Sequence, residues 1–234
     1  MQKVKNLFDT YSSVYEQKAF KESLGLRYLS WIEKTFISSE LPIKSIATLD
    51  IGTGTGRNIE IITKRSFAVL GIDISRSMLI KAKEKKTCNT VLVLSDGRNL
   101  PFVSEAFDCV LCIRVLKYIP EWRKVIEEIS RVLKPNGKVI LTFPNILSVQ
   151  YLSSLFESYS CFRKNEILSV LQEYGFNKVK IETGTVLPFP LYRKIDGETS
   201  LRIIVELERI FQRILPDILL KRTILVSCIK SNNK

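Results

Sequence analysis

Short apolar runs alternate with amphipathic stretches along the first two thirds of the chain. The runs at 46–51, 67–73, 90–95 and 107–113 are typical of strands buried on both faces of a parallel sheet. The stretches at 24–36, 58–64, 78–86 and 122–133 instead repeat their apolar residues at helical spacing. Strands that alternate with helices in this way predict an α/β fold.

The last third of the chain continues the alternation with one interruption. After the turn signal at 135–137, we predict a strand at 138–143, a helix at 164–174, a strand at 176–183 and a final strand at 223–229. A proline-rich segment and an amphipathic helix form an insertion at about 187–215, before that last strand. We predict that the insertion covers a substrate, and its apolar face fits packing onto the sheet better than contact with a membrane.

Three glycines, Gly52, Gly54 and Gly56, follow the first predicted strand at alternate positions. Such a turn lets a ligand approach bare backbone at a helix N-terminus, although a tight turn without a ligand would use the same residues. The second strand ends at Asp73, 21 positions after Gly52, where nucleotide-binding units present a carboxylate to ribose hydroxyls. Arg57 replaces the third glycine of the dinucleotide fingerprint, so a nucleoside that carries a carboxylate fits better than NAD.

Five segments between residues 45 and 145 resemble, in order and spacing, the motifs of class I S-adenosylmethionine-dependent methyltransferases. This family includes enzymes of quinone biosynthesis and other small-molecule methyltransferases. The segments are Leu49-Asp50-Ile51-Gly52-Thr53-Gly54-Thr55-Gly56, Gly71-Ile72-Asp73-Ile74-Ser75 with Ser77-Met78-Leu79, Ser95-Asp96-Gly97-Arg98-Asn99-Leu100-Pro101-Phe102, Phe107-Asp108-Cys109-Val110-Leu111-Cys112 and Arg131-Val132-Leu133-Lys134-Pro135-Asn136-Gly137-Lys138.

The resemblance implies a Rossmann-like, doubly wound sheet of seven strands, mainly parallel with an antiparallel last strand. It implies a single methyltransferase domain over 1–234, with a helical cover at 1–45, a cofactor-binding core at 46–145 and a substrate-side half at 146–234. The cofactor it implies is S-adenosyl-L-methionine, which donates its methyl group by direct displacement.

The same resemblance assigns roles to individual residues. The glycines would admit the cofactor, Asp73 would hold the ribose, and Asp96 with Gly97 would bind the adenine. Tyr11 and Tyr15 either reach the cofactor's carboxylate or simply pack a first helix. The remaining expected cofactor contacts are Asp50, Thr53, Arg57, Ile74, Met78 and Arg114.

Tyr118 stands where many relatives carry histidine, which puts an inherited base role in doubt. An unperturbed tyrosine, with a pKa of ~10, stays protonated near neutral pH. We therefore expect Tyr118 to orient the acceptor by hydrogen bonding rather than to remove a proton.

Composition excludes some chemistries and leaves others open. The 234 residues contain no histidine, so histidine-based triads and most catalytic zinc sites are excluded. The spacing of the five cysteines indicates no disulfide framework. Cys109 and Cys112 lie in one predicted strand and face opposite sides of it, so we expect no metal site between them. We find no signal peptide and no membrane span, and we expect a cytoplasmic protein.

The basic charge widens the choice of acceptor. Thirty-six Lys and Arg against 24 Asp and Glu give a net charge of +12, which attracts nucleic acid and anionic lipid surfaces alike. The chain lacks the Asn/Asp-Pro-Pro-aromatic motif and the Pro-Cys nucleophile of two classes of base methyltransferase. A small-molecule or lipid-like acceptor is our leading expectation. A tRNA or rRNA methyltransferase and a non-catalytic cofactor-binding protein are the alternatives.

Overall fold

A computed structural model of the protein describes residues 1–146, 160–187, 189–214 and 223–232. Seven strands form one sheet in the order β3-β2-β1-β4-β5-β7-β6. The strands are β1 (Ser45–Ile51), β2 (Ser66–Asp73), β3 (Thr90–Leu94), β4 (Phe107–Cys112), β5 (Leu133–Pro144), β6 (Phe176–Thr183) and β7 (Thr223–Lys230). The first five pair in parallel, whereas β7 is antiparallel to both β5 and β6. This confirms the predicted sheet.

Helices cover both faces of this sheet. They are α1 (Gln2–Tyr11), α2 (Leu24–Glu40), α3 (Ile59–Thr63), α4 (Arg76–Lys83), α5 (Trp122–Val132), α6 (Lys164–Glu173), α7 (Phe189–Arg193) and α8 (Glu198–Ile214). A π-helical segment, Gln17–Lys21, joins α1 to α2, and a 3₁₀ turn, Leu116–Tyr118, follows β4. No helix in these described ranges is long and apolar enough to cross a membrane.

The apolar core has two parts, one on each face of the sheet. On one face α5 and α6 pack against the strands, with Trp122, Phe143 and Phe162 in mutual edge-to-face contact. On the other face, Phe36 and Ile37 of α2 pack against the strands. The central strands are therefore covered on both sides, as their apolar runs predict, whereas the edge strands β3 and β6 keep exposed residues.

The two cysteines of β4 belong to different halves of this core. Cys109 packs in the cluster beneath α2, and Cys112 packs in the cluster beneath α5. Burial raises the pKa of Cys109 to about 12 and raises that of Cys112 as well. The prediction that these thiols face opposite sides is confirmed, and both behave as apolar core groups.

Two elements extend beyond their predicted limits. α2 continues to Glu40, four residues past the predicted end, because Ile37 and Leu41 are still buried against the sheet. β5 begins at Leu133 rather than 138, where Leu133 pairs with Phe107 before a register shift in β4. Tertiary packing thus extends both elements through residues that locally resemble an end or a turn.

The predicted insertion corresponds to α7 and α8, with residues 188 and 215 outside the described ranges. Tyr192 of α7 is fully buried, and its carbonyl accepts a hydrogen bond from Ser23 Oγ at 2.7 Å. Gly25 of α2 permits this approach, because a Cβ there would lie 2.3 Å from the Tyr192 carbonyl oxygen. α7 is therefore fixed to the start of α2 by backbone contact.

Candidate active site

The glycine turn lies between β1 and α3, at the carboxyl edge of the sheet. Gly52, Gly54 and Gly56 adopt φ angles of +69°, +57° and +76°, which side chains disfavour. A Cβ on Gly52 would lie 2.1 Å from Val115 Cγ2, whereas one on Gly54 would meet only the Gly52 carbonyl, at 3.9 Å. The turn therefore needs glycine for its backbone conformation, and at Gly54 it leaves open space.

Asp73, the last residue of β2, is bound to this turn. Its Oδ2 accepts the Gly54 N–H at 2.9 Å and its Oδ1 accepts the Ser75 N–H at 2.8 Å. Burial raises the pKa of this carboxyl group, and the backbone hydrogen bonds oppose that effect. Each carboxylate oxygen retains capacity to accept a further hydrogen bond, so Asp73 remains able to bind ligand hydroxyls.

A cavity opens beside the turn, where β1 separates β2 from β4, and its volume is about 650 Å³ when the open solvent space at its mouth is included. Ligands in open α/β sheets bind in this position, because the direction of chain progression reverses there. Met1, together with Val4 and Phe8 of α1, lines one part of the cavity, and apolar residues such as Ile51 and Ile119 line it elsewhere. Of the residues singled out from sequence, those in its lining are Tyr15, Gly52, Gly54, Asp73, Ile74, Met78, Asp96, Gly97, Arg114 and Tyr118.

The other five candidates lie behind or beside the cavity lining. Gly56 faces Ile59 and Ala82, and the Thr53 N–H donates to the Ile72 carbonyl at 2.8 Å. Asp50 is buried below the turn, Arg57 reaches α2, and Tyr11 packs edge-on against Tyr15. These five support the loop and the cover in the structure, and their contacts with a cofactor stay predictions.

Arg57 belongs to a buried ion-pair cluster that the sequence did not reveal. Its guanidinium binds Glu33 Oε1 and donates to Ser30 Oγ at 2.9 Å. Arg114 Nε donates to the other oxygen, Glu33 Oε2, at 2.7 Å. Both guanidinium groups lie over the ring of Phe20, at 4.0 and 4.8 Å from its centroid. One carboxylate thus positions two arginines, of which Arg114 also lines the cavity.

α1 is held over the cavity by Asp9, a second residue that sequence reasoning missed. Asp9 Oδ1 accepts hydrogen bonds from Ser75 Oγ at 2.6 Å and from the Ser77 N–H at 3.3 Å. The bond from Ser75 holds the pKa of Asp9 below its ordinary value. Phe8 and Asp9 shortly precede Tyr11 in the chain, but only the two tyrosines of this segment were predicted as site residues.

Asp96 is engaged by its neighbour Arg98 at the end of β3. Arg98 Nη2 lies 2.8 Å from Asp96 Oδ2, and the Arg98 N–H lies 2.9 Å from Oδ1. Burial opposes ionisation, but these bonds hold the pKa of Asp96 below its usual value. A ligand amine would therefore meet an ionised and oriented carboxylate.

Tyr118 lines the same cavity as this carboxylate. Phe8 contacts it edge-on with ring centroids 5.0 Å apart, and Phe8 contacts Tyr15 in the same way at 6.0 Å. Lys117 Nζ lies 4.7 Å from the Tyr118 ring centroid. Aromatic packing from α1 thus fixes the ring of Tyr118 beside the cavity.

Asp50 gives a testable effect of pH on stability. Burial raises its pKa to about 7, and no partner is present for its Oδ2 among the described residues. An unfolded aspartate has a pKa of ~3.9, so between these values the folded state holds a proton that the unfolded state has released. The contribution of Asp50 to the free energy of unfolding is therefore most favourable at low pH and declines as pH rises towards 7.

We expect Asp50→Asn to remove that dependence. The free energy of unfolding of the variant minus that of the wild type should increase from about pH 4 to about pH 7. Above pH 7 this difference should change little. Urea titrations across this range, without ligand, measure the difference. Glu127→Gln, on the exposed side of α5, is the control. Parallel stability curves for wild type and Asp50→Asn would contradict the raised pKa.

Comparison with known proteins agrees with the site geometry. The family model described as "Methyltransferase domain" matches residues 49–141. The uncharacterized protein MJ1123 of Methanocaldococcus jannaschii is 32% identical over 75% of this chain and 83% of its own. A phosphatidylethanolamine N-methyltransferase of Cereibacter sphaeroides is 35% identical over 98 residues, which cover 40% of this chain and 48% of its own.

A solved structure extends the likeness in fold. It is the Haemonchus contortus phosphoethanolamine N-methyltransferase 2 in complex with S-adenosyl-L-methionine, with a TM-score of 0.68 and 20% identity. The match covers 96% of this chain and 57% of that one. The chain belongs to the class I S-adenosylmethionine-dependent methyltransferases. Its cofactor is S-adenosyl-L-methionine, so the expectation of a methyltransferase is confirmed and that of a non-catalytic binding protein is not.

Proposed function

We propose that the protein transfers the methyl group of S-adenosyl-L-methionine to a small-molecule or lipid-like acceptor. The observation that carries the proposal is α1, which contributes Val4 and Phe8 to the cavity lining and is held in place by Asp9. A covered cavity lined mainly by apolar and aromatic side chains suits a compact acceptor. A polynucleotide would need an open basic groove with bases stacked on exposed rings.

The residues around the cavity fit the cofactor. Gly54 leaves open space in the turn, and the carboxylate of Asp73 faces the cavity with acceptor capacity to spare. We assign the ribose hydroxyls to Asp73 and the adenine amine to Asp96. We assign the carboxylate of the cofactor to Arg114, because it lines the cavity whereas the guanidinium of Arg57 is committed to Glu33 and Ser30.

When bound, the cofactor supplies a methyl group activated by a sulfonium. The protein's own residues then align the acceptor and exclude water, and such alignment is worth ~7–11 kcal/mol of barrier in favourable cases. Phe8 and Val4 close the cavity from above. Tyr118 donates a hydrogen bond that orients the acceptor.

Two similarities support the acceptor class. The Cereibacter relative is named for phosphatidylethanolamine, and the Haemonchus neighbour is named for phosphoethanolamine. We further propose that residues 1–234 form one domain. In this domain, residues 1–45 cover the cofactor and residues 46–145 bind it. Residues 146–234, which include α7 and α8, contact the acceptor. α2 and α7 pack on each other in support of this arrangement.

A tRNA or rRNA acceptor is the second candidate, and the net charge of +12 favours it. Radiolabelled methyl transfer into cell extract, separated into small-molecule, lipid and RNA fractions, distinguishes the candidates. We expect label in the small-molecule or lipid fraction. Label in RNA that falls steeply with salt, through lost phosphate contacts, would contradict the proposal.

A further inference from the structure

α8 (Glu198–Ile214) carries an apolar surface that the domain does not bury. Its inner side packs on the protein through Ile204, which is buried in a cluster with Leu26 and Tyr192. A second set of apolar residues remains exposed: Ile203 by 56%, Leu207 by 37%, Ile210 by 48% and Ile214 by 71%. At 3.6 residues per turn, these four lie within about 60° of one another and form a stripe roughly 16 Å long.

The orientation of α8 is fixed by a buried carboxylate. Glu208 is almost completely buried, and its oxygens accept the Val186 N–H at 3.0 and 3.1 Å and the Leu187 N–H at 2.9 Å. The hydroxyl of Tyr192 donates to the same carboxylate. Turning the helix to bury the stripe would leave these groups unpaired inside the protein, which is costly. The stripe therefore faces outward in the folded protein.

Arginines lie beside the stripe, on the side of α8 away from the core. Arg202, Arg209 and Arg213 are exposed, against two exposed acids of α8, Glu198 in its first turn and Glu206. Arg209 pairs with Glu206 at 2.6 Å, whereas Arg202 and Arg213 form no ion pair with any residue the structure describes. An apolar stripe with arginines along its border matches a helix that lies in the interface of an anionic bilayer.

We propose that the exposed stripe of α8 docks the protein on an anionic lipid surface. A second copy of the chain fits less well, because a twofold contact through this face would bring its arginines together. The stripe is also purely aliphatic, whereas the binding energy of protein interfaces concentrates in tryptophan, tyrosine and arginine. The flanking arginines and the aliphatic composition of the stripe thus favour a bilayer over a protein.

Docking through α8 would bring the carboxyl edge of the sheet towards the bilayer. Glu208 ties α8 to the segment after β6, and Gly184 and Thr185 of that segment line a smaller cavity. Arg114 lines this smaller cavity and the cofactor cavity alike. An acceptor that resides in the membrane would therefore enter from the docked side. Docking itself does not depend on the identity of the acceptor.

Vesicle flotation tests the proposal with the full-length protein. We expect binding to vesicles of phosphatidylcholine with phosphatidylglycerol, little binding to phosphatidylcholine alone, and release by salt. Ile210→Gln/Ile214→Gln should lower the partition coefficient by about tenfold or more, because the buried apolar surface is lost. Arg202→Gln/Arg213→Gln should lower it by about tenfold through lost attraction to the headgroups.

Each double variant has a matched control far from α8. Ile43→Gln/Ile46→Gln changes two exposed isoleucines near the start of β1, and Lys83→Gln/Lys86→Gln removes two exposed charges near the end of α4. Both controls should bind vesicles within about twofold of the wild type, since neither touches the interfacial helix. All variants should keep their affinity for S-adenosylhomocysteine, measured by calorimetry, so a failed methyltransferase proposal would be distinguished from failed docking.

Three results would overturn the inference. The first is equal flotation with anionic and neutral vesicles, or none with either. The second is equal losses in the stripe variants and in their controls. The third is a dimer in light scattering that Ile210→Gln/Ile214→Gln converts to monomer, which would assign the stripe to a second copy of the chain.

Discussion

Glu33→Gln is expected to lower the free energy of unfolding by about 3–5 kcal/mol, the scale for removing one member of a buried ion pair. Side-chain exposure is 5% for Glu33, 13% for Arg57 and 25% for Arg114, so water screens this cluster poorly. Burial already lowers the pKa of Arg57 to about 9. Without the carboxylate, both guanidinium groups would remain near the Phe20 ring with no counter-charge.

Urea unfolding of wild type and variant measures this loss. The control is Glu60→Gln, which removes the exposed i,i+4 pair with Lys64 and should change the free energy of unfolding little, because water screens this pair. S-adenosylhomocysteine affinity should also fall in Glu33→Gln, because Arg114 loses the group that positions it. A variant as stable as the Glu60→Gln control would show that the cluster contributes nothing to folding.

Asp73→Ala is expected to weaken cofactor binding by about 1–3 kcal/mol, or roughly 5- to 150-fold in dissociation constant. The substitution leaves the Gly54 and Ser75 N–H groups without their acceptor and removes the proposed ribose contact. Calorimetry with S-adenosylhomocysteine gives the affinity. NAD should bind neither protein detectably, because the glycine spacing does not fit a pyrophosphate.

Asp108→Ala provides a control of the same chemistry at the opposite edge of the sheet. Asp108 also accepts a backbone N–H, from Ala47 at 2.8 Å, and it pairs with Lys134. This variant should be destabilised and yet bind S-adenosylhomocysteine normally. An unchanged affinity in folded Asp73→Ala would remove Asp73 from the site, and tighter binding of NAD would overturn the assignment of the glycine turn.

The sequence predicted the strand order along the chain and the glycine turn, because both are encoded locally. The run 109–113 is apolar throughout, since each face of its strand is covered. Gly52 and Gly56 are required by the local backbone, with φ angles that other residues avoid. The five methyltransferase motifs lie on these same local elements, so the family could be identified without any knowledge of the packing.

Tertiary structure alone decided how distant segments meet. Arg57, whose contact with the cofactor stays a prediction, binds Glu33, 24 positions earlier, because α2 packs beside the turn. Asp9 fixes the cover through Ser75, 66 positions later. The period of α8 indicated an apolar face, but only Glu208 fixes which half of that face stays exposed. Such contacts depend on which helix lies beside which strand, and the pattern of one segment carries no information about its neighbours in space.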